Sequence, residues 1–240
     1  TNKKKQKPIW NLNNVKRTTI ENLLDSYGGP TNCITIKKNE IEGTNTDSYG
    51  FGTAYLAHLE KKIKKVRRQN TTKGKALVIG FGGAAKSIIS SLVEMNFDTI
   101  MVFNRTFEKI KNTGIEICET GSIPPLPTCK IIPEKIDNLI NYTNHNKSKN
   151  TELIVNTSPT NILNNKTNWN VGRDVVGFDI VYKPKEGTGF LSNFNPKQRI
   201  KGVEMLVHQA APCFKLWFGI EPKVDETMFK HLYKKLEQDT

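Results

Sequence analysis

Between residues 76 and 103 the apolar positions change period twice. Ala76 to Ile79 form an uninterrupted apolar run, short enough for a strand covered on both faces. Ala84, Ala85, Ile88, Ile89, Leu92 and Val93 then recur at helical spacing, and Ile100 to Phe103 return to a short apolar run. This strand–helix–strand order predicts a parallel sheet. Leu153 to Asn156 and Val175 to Tyr182 read as further strands of it. Upstream, Cys33 to Lys37 alternates, Lys38-Asn39 makes a turn and Ile41 to Thr44 returns, which predicts a hairpin. Ser48 to Arg68 then fits a helix with Phe51, Ala54, Tyr55, Leu59, Ile63 and Val66 along one side and a basic C-terminal end that suits the helix dipole.

The remaining segments carry weaker patterns. Thr1 to Asn14 is polar and basic, and Ile20 to Tyr27 fits a short helix stopped by Gly28-Gly29-Pro30. Gly121 to Asn150, with Pro124, Pro125, Pro127 and Pro133, reads as a loop expansion outside the core and without chemistry. Val203 to Phe218 fits a helix interrupted or kinked near Pro212. Asp225 is placed to cap a last helix whose Met228, Phe229, Leu232 and Leu236 share a side.

The turn after the first strand of the parallel unit holds candidate chemistry. Gly80, Gly82, Gly83, Ala84 and Ala85 give a G-x-G-x-x-A spacing, in which small residues let backbone approach a pyrophosphate at a helix N-terminus. An acid some twenty residues on would accept from an unphosphorylated ribose; here Asn104, Arg105 and Thr106 offer donors and positive charge suited to a 2′-phosphate. The pattern points to NADP(H) over NAD. The same residues also fit ordinary helix–strand packing and a solvated arginine.

Composition narrows this picture only a little. The chain has 240 residues, 36% of them hydrophobic, enough for a buried core in one large or two small domains. No apolar run approaches the ~18 residues of a membrane span, and the Lys- and Asn-rich start lacks the apolar stretch of a secretory signal. The expectation is a cytoplasmic protein without membrane contact. Cys33, Cys118, Cys129 and Cys213 lack C-x-x-C spacing, so neither a metal site nor a disulfide framework is expected. The net charge of +13 would attract anionic ligands, but the cations are not interleaved with aromatics in the manner of a nucleic-acid surface. The first residue is Thr, which reads as the start of a fragment or processed product.

Four groups of residues together resemble the shikimate dehydrogenase family. They are Gly29-Pro-Thr-Asn32 with Gly43-Thr-Asn-Thr-Asp47, the glycine turn with Asn104-Arg-Thr106, Asp179-Ile-Val-Tyr182, and Gly202-Val-Glu-Met-Leu-Val-His-Gln209. The resemblance implies NADP-dependent reduction of 3-dehydroshikimate to shikimate in aromatic amino-acid (chorismate) biosynthesis. It implies that Asn32 and Asp47 contact the ring hydroxyls, with Asp47 in the acid–base pair, that Gln209 hydrogen-bonds the substrate and that Tyr182 borders its pocket. It further implies that Gly202 and Met205 lie near the nicotinamide and that Lys86 and Lys109 assist with the adenosine phosphate. Read without the resemblance, Asp47 is as easily the N-cap of the helix at Ser48, and Gln209 and Met205 are ordinary packing at i, i+4 spacing. His208 reads as a surface or satisfied core residue.

Departures accompany the matches. The family's Ser-x-Ser and Thr-x-Pro-x-Lys motifs, the second bearing its principal catalytic lysine, are not recognisable, and neither Lys7 nor Lys16 is assigned that role. Phe81 replaces a small residue of the glycine loop, Cys33 stands for the usual Thr, and Asn161-Ile162 replaces the family's Gly-Met. The expected fold is α/β: a Rossmann-like NADP-binding domain over 59–201, and a smaller α/β substrate domain, incomplete at its N-terminus, from 1–58 and 202–240. A monomer or homodimer acting on a small molecule is expected. A catalytically impaired NADP-binding remnant, or a quinate/shikimate dehydrogenase, are the alternatives.

Overall fold

The computed structural model describes residues 31–37, 40–62, 73–111, 129–144, 150–159, 169–182 and 189–238. The expected N-terminal helix, the turn at Lys38-Asn39, the end of the helix past residue 62, residues 112–128 and 145–149, and Asn161-Ile162 lie outside them. Strand β1 (Cys33–Lys37) pairs antiparallel with β2 (Glu40–Thr44), Cys33 opposite Thr44, and leads into helix α1 (Asp47–Lys62). Then follow β3 (Lys73–Ile79), α2 (Gly83–Glu94), β4 (Phe97–Asn104), α3 (Phe107–Lys111), β5 (Lys130–Lys135) and α4 (Leu139–Asn144). Strands β6 (Thr151–Asn156), β7 (Val176–Asp179) and β8 (Arg199–Lys201) precede α5 (Gly202–Phe218) and α6 (Glu226–Gln238).

The six later strands form one parallel sheet in the order β5-β4-β3-β6-β7-β8. This is the doubly wound dinucleotide-binding order, in which the chain reverses direction across the sheet between β3 and β6 and leaves a crevice at the carboxyl ends of those strands. Successive residues of β3 face opposite layers. Ala76 and Val78 pack with Ile88 and Leu92 of α2 and with Phe51 and Tyr55 of α1. Leu77 and Ile79 pack on the other side with Phe103, Trp169, Phe190 and Phe194. Phe51 stacks on Phe178 of β7, ring centroids 4.9 Å apart, so α1 shares the main core with the sheet. Each such large side chain contributes about 1.5–3 kcal/mol by leaving water. The expected domain boundary at residues 58 and 59 thus falls inside α1.

Several expected elements are corrected. Strand β3 begins at Lys73 rather than Ala76, because Gly74 N–H donates to Glu152 Oε1 (2.8 Å) and Lys75 N–H to the Asn150 carbonyl (2.7 Å), extending the ladder through polar residues. Likewise β4 starts at Phe97 and β6 at Thr151. Strand β7 stops at Asp179, short of Tyr182. There Asp179 Oδ1 accepts from Val181 N–H (3.1 Å) and from Asn156 Nδ2 (3.0 Å), and a side chain takes over the bonding that a ladder would supply. The segment read as a loop outside the core contributes edge strand β5, whose Pro133 lies opposite Val102, and buries Cys129, Ile131 and Leu139. Helix α5 runs through Pro212, which withholds a donor from the His208 carbonyl without ending the helix. Asp225 does cap α6, Oδ1 accepting from Met228 N–H at 3.0 Å.

Strand β1 turns Cys33 and Thr35 inward and leaves Ile34 and Ile36 at 57% and 72% exposure. Trp217 Nε1 donates to the Ile34 carbonyl at 3.0 Å, and Trp217, Phe218 and Ile220 at the end of α5 are also exposed. No helix among the described residues is long and apolar enough to cross a membrane.

Candidate active site

Two clusters meet at the carboxyl edge of the sheet. The first is the glycine turn. Gly80 follows β3 with φ +101°, a left-handed conformation costly to other residues, and a Cβ there would lie 2.5 Å from Thr157 Oγ1. Thr157 Oγ1 itself donates to the Ile79 carbonyl at 2.7 Å, which locks the turn against β6. Gly82 is the N-cap of α2, and a Cβ on it would meet nothing within 4 Å. That open space lies in front of the free N–H groups of the first turn, Gly83 and Ala84 among them, where a helix presents partial positive charge. Lys86 stands over the Phe81 ring at 5.7 Å.

Beyond β4, Asn104 Nδ2 donates to the Thr106 carbonyl at 3.1 Å and Lys109 N–H to the same carbonyl at the same distance, which shapes the turn and leaves the Arg105 and Lys109 side chains exposed. The residues present fit a phosphorylated dinucleotide: a turn without side chains for the pyrophosphate, and a free guanidinium beyond the adjoining strand for a further phosphate.

The second cluster brings Asn32, Asp47 and Gln209 together from positions far apart in sequence. Asn32 Nδ2 lies 2.7 Å from Asp47 Oδ1, 3.0 Å from Thr46 Oγ1 and 3.4 Å from Gln209 Oε1. Its Oδ1 accepts from Thr46 N–H at 2.9 Å. Thr46, 1% exposed, also contacts Cys213 Sγ of α5 at 3.4 Å, so the loop before α1 is held from below. Helices α1 and α5 approach closely because position 50 is glycine; a Cβ there would be 2.7 Å from Gln209 Cβ and 2.8 Å from the Met205 carbonyl oxygen.

Burial pushes the Asp47 carboxyl above its ordinary range, opposed by the hydrogen bond from Asn32. An amide nitrogen has two N–H groups, and Asn32 faces three acceptors, so Gln209 has acceptor capacity to offer a hydroxylated ligand. The arrangement offers an amide, a carboxyl with a raised pKa and a second amide to a hydroxylated ligand.

The other expected site residues are placed as follows. Gly202 opens α5 with its Cα against the Ile180 carbonyl, where a Cβ would come within 2.3 Å of the oxygen. Met205 is 5% exposed and packed in the main core, and Tyr182 stands beyond β7 at 47% exposure. His208 packs on Phe229 at 5.6 Å, and burial lowers its pKa. Asn45, Ser48 and Ser87, which bond to one another beside Asp47, were not expected; single serines and asparagines give no periodic signal. No grouping of His, Cys, Asp and Glu suited to a metal ion occurs among the described residues.

Known proteins resemble this chain in sequence and in fold. The family profile for shikimate/quinate 5-dehydrogenase matches residues 61–167, and that for the shikimate 5'-dehydrogenase C-terminal domain matches residues 202–228. The NADP(+)-dependent shikimate dehydrogenase of Methanococcus aeolicus is 30% identical over 208 residues, 82% of this chain and 65% of the relative. That of Sinorhizobium medicae is 29% identical over 83% of this chain and 64% of the relative. The chain therefore spans somewhat under two thirds of the length of these relatives. A shikimate dehydrogenase crystallised with NADP+ superposes with a TM-score of 0.59 at 25% identity, covering 88% of this chain and 69% of that one. Quinate dehydrogenase from Corynebacterium glutamicum gives 0.61 at 18% identity over 88% and 70%, a likeness of fold. With both profiles matched in order and the parallel sheet in the doubly wound arrangement, the chain belongs to the shikimate dehydrogenase family.

Proposed function

We propose that this chain carries the coenzyme site and most of the hydroxy-acid site of an NADP-dependent shikimate dehydrogenase, reducing 3-dehydroshikimate to shikimate. The observation that carries the reading is the joining of the two clusters: Asn45 and Ser48, which flank Asp47, bond directly to the helix that follows the glycine turn. Bound NADPH supplies the hydride. The chain's own residues do the rest. Asn32, Asp47 and Gln209 grip ring hydroxyls, and Asp47, whose pKa is raised by burial, serves as an acid–base group beside the carbonyl that must receive a proton when it becomes an alcohol. Arg105 pairs with the 2′-phosphate and Gly80, Gly82, Gly83 and Ala84 line the pyrophosphate. Gly202 and Met205 back the nicotinamide side, and Tyr182 rims the pocket. We assign the reaction to a soluble, cytoplasmic protein, monomeric or homodimeric.

Calorimetry with NADPH and NADH tests the coenzyme assignment. NADPH should bind the parent chain more tightly, and Arg105→Ala should weaken NADPH about tenfold, the effect of ~1.4 kcal/mol, with little change for NADH. Tighter binding of NADH by the parent would overturn it. Shikimate-dependent reduction of NADP+ by the chain, abolished in Asp47→Ala, tests the substrate assignment.

A further inference from the structure

We propose that Ser87 is a positioning residue that holds Asp47 in register with the dinucleotide-binding helix. The importance of the register rests on the function proposed above; the bonding does not. Asn45 and Ser48 flank Asp47 in sequence, and both grip Ser87. Asn45 Nδ2 donates to Ser87 Oγ at 2.8 Å, while the other end of the same amide, Oδ1, accepts from Asp47 N–H, also at 2.8 Å. Ser48 Oγ donates to the Ser87 carbonyl at 2.9 Å. One turn further along α2, Ser91 Oγ donates to the Ser48 carbonyl at 3.4 Å.

Ser87 is 6% exposed and Ser91 1%, so these bonds are partly buried, and an unmatched donor there costs more than on the open surface. The asparagine amide is a two-ended device. With Nδ2 on Ser87 Oγ, its oxygen faces the Asp47 backbone, so one amide ties the first N–H of α1 to α2, and loss of that acceptor loosens the tie. Ser87 Oγ also donates to the Gly83 carbonyl at 3.5 Å, so one hydroxyl touches both the first turn of the coenzyme helix and the loop that carries the carboxylate. Helix formation does not explain a serine here. Alanine is the better helix former and fits the same space, so the hydroxyl serves the cross-helix contact.

Hydrogen–deuterium exchange on the full chain tests this. Ser87→Ala should speed exchange of the Asp47–Gly50 amides about tenfold and leave the Gly83–Glu94 amides unchanged. It should weaken shikimate binding about fivefold while NADPH affinity stays within about twofold of the parent. Ser87→Thr, which keeps the hydroxyl, should restore both, and Ser90→Ala, a buried serine on the same helix, should alter neither. Asn45→Ala breaks the bond from the other side and should reproduce the Ser87→Ala result, with the double variant no worse than either single one. Parent-like exchange at Asp47–Gly50 in both Ser87→Ala and Asn45→Ala would overturn the proposal. A parent chain that binds no shikimate would instead remove the function assigned to Asp47, and exchange would still decide whether Ser87 holds that segment.

Discussion

Asp47 is the residue on which local physics and proposed chemistry converge. Half-buried at the start of α1, it is harder to ionise than a free aspartate, and the donor from Asn32 does not fully offset that. The folded chain therefore holds the Asp47 proton to higher pH than the unfolded chain does. The associated stability is present below the ordinary aspartate range and is lost as pH rises through the folded value. Asp47→Asn, which keeps an acceptor for Asn32, is expected to melt above the parent at pH 7, with the difference closing below about pH 4. Thermal melts across that range check it; a lower melting temperature at pH 7 would show that the ionised carboxylate stabilises the fold. In the sequence Asp47 was open to two readings, helix cap or acid–base group. Its carboxylate oxygen accepts from Asn32, fifteen residues upstream in another element, a contact that no local spacing encodes.

At the scale of elements, the crossing of α1 and α5 sets the site. Gly50 permits it, since any side chain there would press on Gln209 and on the Met205 carbonyl. Gly→Ala inside a helix ordinarily stabilises by about 0.5–1 kcal/mol. Here overlap with backbone outweighs that, and Gly50→Ala is expected to destabilise by about 1–3 kcal/mol in urea titrations and to separate Asp47 from Gln209, weakening shikimate more than NADPH. Gly82 offers the contrast, with open space before it. Which elements were legible beforehand follows from their chemistry. Ala76–Ile79 and Ile100–Phe103 announced buried parallel strands because both faces are covered, and β1–β2 announced itself by alternation. Strand β8 stayed hidden because it is three residues long with only Ile200 buried. Strand β5 stayed hidden behind Pro133, which is admissible only because the strand lies at the sheet margin. Strand β7 was read too long because Ile180 and Val181 look strand-like while Asp179 diverts the backbone.

At the scale of the whole molecule, charge and apolar surface pull in different directions. The net charge of +13 favours solubility and attracts anionic ligands. Against it stand the exposed apolar side chains of Ile34, Ile36, Trp217, Phe218 and Ile220, with Trp217 bonded to the Ile34 carbonyl, and exposed apolar surface promotes association. Ile36→Lys is expected to lower concentration-dependent association in light scattering and to leave the melting temperature within about 1 °C, since exposed positions carry little folding energy. Unchanged association would place the sticky contact elsewhere. The family was legible from scattered short motifs because each falls at a fixed place in the fold: Asn32 meets Asp47 and Gln209 from positions far apart in sequence, while the glycine turn and Arg105 follow the ends of adjacent strands β3 and β4.

The proline at the outer margin of the six-stranded sheet has a consequence for neighbours rather than for the protein itself. A seventh strand approaching from another molecule would meet Pro133, which has no N–H to lend, flanked by the exposed ammonium groups of Lys130 and Lys135. Were the newcomer a copy of the same strand, it would bring identical cations and the same missing donor. Polymer growth by edge-to-edge templating is thereby discouraged on that flank, and the sheet ends where its own residues end it.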